Sequence, residues 1–392
     1  MMKKILMVCY GGGHVKIIAP LYHVLQKSFD VKILALTSAI PYLRSLSIPF
    51  LTFNSFIDYL DSDVTVYGKK LVENLPCDNR LDYEESVAYL GASFHDLVIT
   101  HGLDEAYKLY ERSGRTIFFP TLTLQCIFDK IKPDLLITTN APRSERAALH
   151  VAKINNVKSI CINDNLWVSG GVDDVVLKEL ANSVCVLSSS VKSKLIKINP
   201  SVDIFVTGTP VFDPLKILRE KKINPRPIIL LADCELPAEH PLYPGVKADP
   251  NLGHNLRNEL NSLAKSESWR IIFRPHPSQN ERYEEFDNIE ISSSLDSLHA
   301  LLPQVDVVIT AISTVGIEGL LCGAGLVSIE NTVYGATNSY YEYGLSTPVY
   351  SSKDLKDAIM LEVKSSQCKP LELYEGNSTD NILKVINNLI RL

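Results

Sequence analysis

Not one of the eight cysteines stands in a Cys-x-x-Cys or comparable metal-type spacing. That excludes a zinc ribbon or a redox pair. Several cysteines sit in apolar runs and read as small buried hydrophobes of a reducing compartment. Basic residues are not in excess either. Lys and Arg total 39 against 45 Asp and Glu, a net charge of −6, which argues against a nucleic-acid partner. No apolar run reaches the length of a membrane span. The start, Met1–Tyr10, has two lysines and then apolar residues, as a signal peptide does. Its apolar run is too short and breaks at Gly11-Gly12-Gly13, so it reads as a first strand. The dinucleotide spacing G-x-G-x-x-G is missing. So are solenoid-period repeats and low-complexity tracts.

What is present is a globular composition, 46% hydrophobic and 21% charged over 392 residues. That is enough chain for two domains with cores of their own. Strand-like and helix-like segments alternate. Strands are expected at Lys4–Cys9, Val31–Leu36, Phe50–Phe53, Asp134–Thr138, Ser159–Ile162, Ser183–Leu187 and Val202–Val206. Helices are expected near 17–27 and 144–155, and an irregular helical insertion at 54–115. After the polar stretch Arg219–Pro227, strands recur at Ile228–Leu231, Arg270–Phe273, Asn288–Ile291, Val305–Ile309 and Leu326–Ile329. Helices recur at Gly253–Lys265 and Ile317–Cys322. This alternation predicts an α/β protein with parallel sheets covered by helices on both faces. The expected division is residues 1–215 and 216–376, two Rossmann-like domains facing across a cleft. An amphipathic helix at 377–392 is expected to pack back on the first domain.

The most informative segments are Arg274-Pro275-His276-Pro277 and Thr310–Gly319. In each, an apolar run stops abruptly at cationic or hydroxyl residues, as a buried strand does when it delivers chemistry at its C-terminal end. Pro275 and Pro277 stiffen the backbone around His276, and Arg274 with His276 suits a phosphate ester. Ser313 and Thr314 open a helix, a ready anion site, and Glu318 one turn on suits ribose hydroxyls. Together they predict a pocket for a phosphorylated ligand, a nucleotide. Gly12 and Gly13 permit close backbone approach, and His14 behind them suits a base or a donor ligand. Thr207 and Gly208 follow a strand and either line the cleft or form a hinge. Glu145 reads equally as an acid or base and as a favourable first-turn charge beside a capping Ser144. Asp233, at the end of Ile228–Ala232, reads as a nucleophile or base, or as a turn residue. Tyr334, Tyr340, Tyr341 and Tyr343 read as sugar-stacking rings or as packing.

With these residues in hand, the chain resembles the GT-B glycosyltransferases. The resemblance covers nearly the whole chain, through the Gly-rich loop with His14, Val206–Asp213, Arg274–Pro277 and Ser313–Glu318. The pair His276-Pro277 with Ser313-Thr314 is similar to the motifs of bacterial sialyl-, polysialyl- and capsule Kdo transferases. Similar segments occur in enzymes using UDP- or CDP-linked donors. The His-Arg-Arg-Glu-Asn signature of UDP-GlcNAc 2-epimerases is absent. The resemblance implies a nucleotide-sugar donor, CMP-linked by preference, with no metal or other cofactor, bound by Arg274, His276, Pro277, Ser313, Thr314 and Glu318. It implies a glycan or lipid-linked glycan acceptor entering past His14 and Glu145. Asp233 and Glu145 stand where retaining β-Kdo transferases carry an Asp nucleophile and a Glu. The expected place is the cytoplasm, free or at the inner face of the membrane. The alternatives are a nucleotide-sugar epimerase or hydrolase of the same fold, and a binding protein with a dead site.

Overall fold

The computed structural model describes residues 2–73, 82–168, 171–215, 224–232, 236–240, 245–275, 286–293, 296–335, 338–365 and 377–391. The chain divides into two units, Met1–Val211 with Leu373–Leu392, and Phe212–Glu372.

Unit 1 carries strands β1 (Lys4–Cys9), β2 (Asp30–Ala35), β3 (Leu135–Thr138), β4 (Lys158–Ile162), β5 (Ser183–Val186) and β6 (Asp203–Val206). Its helices are α1 (Gly13–Leu25), α2 (Ala39–Ser45), α3 (Ser62–Val72), α4 (Tyr83–His101), α5 (Leu103–Ser113), α6 (Thr121–Ile131), α7 (Ser144–Ile154), α8 (Val172–Leu177) and α9 (Ser189–Ile198). Unit 2 carries β7 (Ile228–Ala232), β8 (Arg270–Arg274), β9 (Ile289–Ile291), β10 (Val307–Thr310), β11 (Gly325–Ile329) and β12 (Thr347–Val349). Its helices are α10 (Leu252–Ser266), α11 (Leu298–Leu301), α12 (Val315–Leu321) and α13 (Leu355–Ser365). The last helix, α14 (Ser378–Arg391), belongs to unit 1 and puts Ile382, Val385 and Ile386 into the core around Ile17, Leu21 and Ile33.

Both sheets are parallel, as the βα alternation predicts. Strands such as Ile5–Cys9 and Ile229–Leu231 are buried along their length, which is why they read as unbroken apolar runs and not as alternating ones. The orders are β2-β1-β3-β4-β5-β6 and β12-β11-β10-β7-β8-β9. Each order reverses once, between β1 and β3 in unit 1 and between β7 and β10 in unit 2. Beyond the C-terminal strand ends at such a reversal, open α/β sheets leave a crevice.

Three local differences from the sequence reading have physical causes. Phe50–Phe53 is not a strand: only Leu51 bridges Leu34, and a 3₁₀ turn follows at Asn54–Tyr59. Ser55 Oγ accepts the Thr52 N–H at 3.0 Å and turns the chain away. β12 contains Pro348, which lowers any sequence expectation of a strand but is tolerated at a sheet edge. The first helix begins at Gly13, four residues early, because Gly12 at φ +69° closes the loop and allows the turn.

The 54–115 insertion is a helical layer. α3 and α4 cross where Gly68 faces Val87 and Gly91 faces Val64. Tyr89 of α4 stacks on Phe53 (centroids 5.9 Å), and Phe118 stacks on Tyr110 (5.5 Å).

Cys9, Cys161 and Cys185 lie fully enclosed in unit 1 strands, and Cys322 is buried in unit 2. Burial raises all four thiols, Cys185 to about 12 and Cys322 to about 11. Thiolate is the reactive form. Alkylation of the native protein at about pH 8 should therefore spare these four and label them only after denaturation. Peptide mapping by mass spectrometry reads the result. Native labelling of Cys9 or Cys185 at the rate of a free thiol contradicts this packing.

Candidate functional site

Unit 1 assembles a group of polar residues at its strand-order reversal. β1 runs into Tyr10 and the glycine loop, and His14 sits in the first turn of α1. β3 pairs with β1 in the register Val8↔Thr138, so Thr139 emerges next to that loop. α7 then returns Glu145 beneath it. His14 Nδ1 lies 2.5 Å from Thr139 Oγ1, and the Thr139 hydroxyl donates to Glu145 Oε2. Glu145 is wholly enclosed. Its Oε1 accepts the Tyr10 N–H at 2.8 Å, and Oε2 also takes the Ala141 N–H at 3.3 Å.

This network fixes a tautomer. Thr139 has one proton and gives it to the carboxylate, so its oxygen accepts from His14 Nδ1–H. The lone pair of the imidazole is therefore on Nε2. The His14 side chain is 29% exposed. The arrangement is a base at the surface, backed through a hydroxyl by a buried carboxylate 4.0 Å from Nδ1.

Tyr10 holds the floor. Its Oη meets Tyr89 Oη at 2.9 Å and Ser144 Oγ at 2.8 Å. Ser144 thus spends its hydroxyl on Tyr10 and does not cap α7, whose N-cap is Arg143. The Arg143 guanidinium lies 4.6 Å above the Tyr10 ring. Burial, with Tyr10 beside it, pushes the Tyr89 hydroxyl far above its ordinary range, and Arg143 pulls against that shift. Through Tyr89 the helical insertion supports the site. Thr207 and Gly208 are buried past β6, both donating N–H to the Val186 carbonyl. β6 is the edge strand, three positions from β3, so these two are not brought beside His14.

Unit 2 forms its own group where β10 ends. Ser313 N–H donates to Thr310 Oγ1 and Val315 N–H to Ser313 Oγ, each at 3.3 Å. Thr314 is the N-cap residue of the seven-residue α12. Its hydroxyl points to Glu318 Oε1 at 3.5 Å, and His299 Nε2 meets Glu318 Oε2 at 3.0 Å. Glu318 is buried, so this carboxylate is shared between two side chains of the protein. Arg274 closes β8, donating to Ser292 Oγ and to the Asp296 carbonyl, each at 2.8 Å. Burial lowers its pKa, with Asp296 and Glu318 opposing. Asp233, His276 and Pro277 lie outside the described residues.

Tyr340 is 1% exposed and donates to the Ser313 carbonyl at 2.6 Å. It is a core residue and not a sugar platform. A Cβ on Gly316 would lie 3.2 Å from the Tyr340 ring and 3.1 Å from Leu326 Cδ1, so this glycine seats α12 against β11 and Tyr340. Tyr341 alone of the four tyrosines is largely exposed.

Sequence reasoning found His14, Glu145 and Glu318 as candidates but missed Thr139, Tyr10, Tyr89, Arg143 and His299. The signal for Thr139 was present: the apolar Leu135–Ile137 run stops at Thr138-Thr139. Among the described residues no three His, Cys, Asp or Glu side chains form a group that would hold a metal ion. No helix among them is long and apolar enough to cross a membrane.

No protein-family model and no curated protein matches the chain. Solved structures do. UDP-GlcNAc 2-epimerase from Methanocaldococcus jannaschii, in complex with UDP-GlcNAc and UDP, has a TM-score of 0.64 at 14% identity, covering 98% of this chain and 99% of that one. The Neisseria meningitidis UDP-GlcNAc 2-epimerase bound to UDP-GlcNAc has a TM-score of 0.62 at 13% identity, over 98% and 100%. MurG from Acinetobacter baumannii has 0.54 at 13%, over 98% and 99%. The fold is thus GT-B in type, two Rossmann-like α/β units in tandem. It is shared with the epimerases although their His-Arg-Arg-Glu-Asn signature is missing here.

Proposed function

We propose that the protein is an enzyme that turns over a UDP-linked sugar without a separate acceptor, as a 2-epimerase or hydrolase does. The observation that carries this reading is the likeness, along 98% of the chain, to an epimerase complexed with UDP-GlcNAc and UDP. It displaces CMP as the favoured nucleotide. Moving a proton at the sugar, or activating a water against it, needs a positioned base. His14 Nε2 is that base, Thr139 holds its tautomer, and Glu145 stabilises the imidazolium that forms. In this reading Glu145 touches no substrate. The nucleotide phosphates lie with unit 2, at Arg274, His276, Pro277 and Ser313-Thr314, and the ribose at Glu318. Gly12 and Gly13 let the substrate approach the loop before α1.

A second reading, a glycosyltransferase, is favoured by the likeness of His276-Pro277 and Ser313-Thr314 to the CMP-sugar transferase motifs. His14 would then take the proton of an acceptor hydroxyl on a glycan or lipid-linked glycan, and Asp233 would be the nucleophile if configuration is retained.

Calorimetric titration with UDP, CDP and CMP, followed by proton NMR of a UDP-sugar incubated with enzyme alone, separates the readings. The expected result is tightest binding of UDP, with new anomeric signals or free sugar appearing without acceptor. Binding of CMP tenfold or more ahead of UDP, about 1.4 kcal/mol, removes the UDP assignment. A UDP-sugar that stays intact until a glycan is added moves the protein to the second reading.

A further inference from the structure

Five arginines among the described residues are held by hydrogen bonds to oxygen acceptors, the first being Arg44 with Asp82. Arg146 pairs with Asp174 and the Gly171 carbonyl, and Arg226 with the Ser268 and Trp269 carbonyls. Arg270 pairs with Glu290, and Arg274 with Ser292 and Asp296. Arg143 differs. It is half-buried and makes no hydrogen bond or ion pair with a described residue, its guanidinium lying over the face of the Tyr10 ring. A guanidinium has five N–H donors in a planar fork, and none of the five meets a described acceptor. No Arg143 nitrogen is buried without a partner, so these donors reach solvent and are open to an incoming acceptor.

The cation is also pre-positioned. Tyr10 beneath it is pinned by Tyr89, Ser144 and the Glu145 carboxylate. Stacking on a fixed ring holds the guanidinium with little freedom left to lose on binding. The carboxylate of Glu145, two residues on in the chain, does not cancel it: that charge is enclosed and spent on Tyr10 N–H, Ala141 N–H and the Thr139 hydroxyl. Arg143 opens α7 directly after the β3 end that carries Thr139, the residue holding His14.

We infer that Arg143 receives an anionic group, a carboxylate or a phosphate, carried by the sugar-side portion of the substrate that reaches His14. The substrate class is therefore a sugar acid or a sugar phosphate, its charge additional to that of the nucleotide. The fork of Arg143 binds the anion's paired oxygens, and a neutral sugar leaves it unpaired. Arg115 adds to the positive field, since it and Arg143 both oppose the upward shift of the Tyr89 hydroxyl. This rests on reading unit 1 as the side that holds the reacting sugar.

The test uses the intact protein and three probes without nucleotide: glucuronate, glucose 6-phosphate and glucose. Calorimetry or ligand-observed NMR gives each Kd for the wild type, Arg143→Gln and Arg143→Lys, with melting curves confirming that the variants fold. At least one anionic probe should bind about tenfold or more tighter than glucose, the scale of a charge-assisted bidentate contact. Arg143→Gln should abolish that preference and Arg143→Lys keep part of it, with UDP affinity unchanged within about twofold. Preference for glucuronate alone assigns a carboxylate, and for glucose 6-phosphate alone a phosphate. Equal binding of glucose and both anions by the wild type, or an intact preference in Arg143→Gln, overturns the inference. So does loss of UDP affinity in step with the anions, which would place Arg143 in the nucleotide's own phosphate site. Failure of UDP to bind while the anion preference holds would remove the UDP reading alone.

Discussion

Replacing His14 by Asn should lower kcat for UDP-sugar turnover by about 10²–10⁴-fold, the usual worth of a positioned general base. Folding stability should be nearly unchanged. Asn is chosen because its side-chain N–H can still donate to Thr139 Oγ1, where His14 Nδ1 now sits at 2.5 Å, while it has nothing to replace Nε2. Thr139→Val tests the link between ring and carboxylate. It removes the hydroxyl that connects His14 to Glu145, freeing the imidazole to adopt the other tautomer. Its loss should be smaller than that of His14→Asn. In the double variant it should add almost nothing, because Thr139 acts only through His14. Steady-state kinetics of the wild type and three variants decides the matter. A kcat within threefold of wild type for His14→Asn would take the base role from this residue. Losses that multiply in the double variant would mean that Thr139 acts on the substrate independently.

The largest effect on stability is expected from Gly91→Ala. A Cβ there would enter the van der Waals shell of the Val64 carbonyl oxygen on the facing helix α3. That atom is backbone, so relief requires α3 to shift as a body. Overpacking of this kind costs about 3 kcal/mol. A unit of this size should lose on the order of 6–12 °C in Tm. Gly68, opposed by the Val87 carbonyl, should behave alike. Gly344 supplies the control. It is left-handed (φ +67°, ψ +20°), and nothing lies within 4 Å of its missing Cβ, so alanine there meets only backbone strain of about 1 kcal/mol. Thermal melts of the three variants rank them, and a Gly91→Ala protein as stable as Gly344→Ala would mean that the α3–α4 crossing is not close-packed in solution. Turnover should fall with Gly91→Ala as well, since Tyr89, two residues earlier, props Tyr10.

Much of the fold could be read from the sequence because buried parallel strands announce themselves. Ile5–Val8, Leu135–Ile137 and Val307–Ile309 are apolar on both faces, and each stops at residues with chemistry. Periodicity alone exposed α14. β12 stayed hidden because three residues with a proline carry almost no pattern. The site was legible only in part, for a different reason. His14 and Glu145 stand out as residue types at strand and helix ends. What joins them is Thr139, whose meaning depends on a pairing 125 residues apart in sequence. Arg143 lies inside Pro142-Arg143-Ser144-Glu145, and nothing in the sequence separates it from an ordinary helix start. Its isolation shows only when its neighbours' acceptors are seen to be spent elsewhere. By residue type Glu145 reads equally as an acid or base and as a first-turn charge, and only the fold shows the backbone N–H groups of Tyr10 and Ala141 turning it inward.

The carboxyl-terminal helix has a consequence for biosynthesis. Ile382, Val385 and Ile386 complete a core whose other members lie in the first half of the chain. Residues 212–372 emerge from the ribosome between the two parts. At typical elongation rates that interval lasts roughly ten to thirty seconds. Throughout it, the apolar face that α14 will cover is open to solvent and to chaperones. Unit 2, made from one continuous stretch, has no such wait. The nascent protein therefore carries its proposed base-bearing half in an unfinished state until α14 is made.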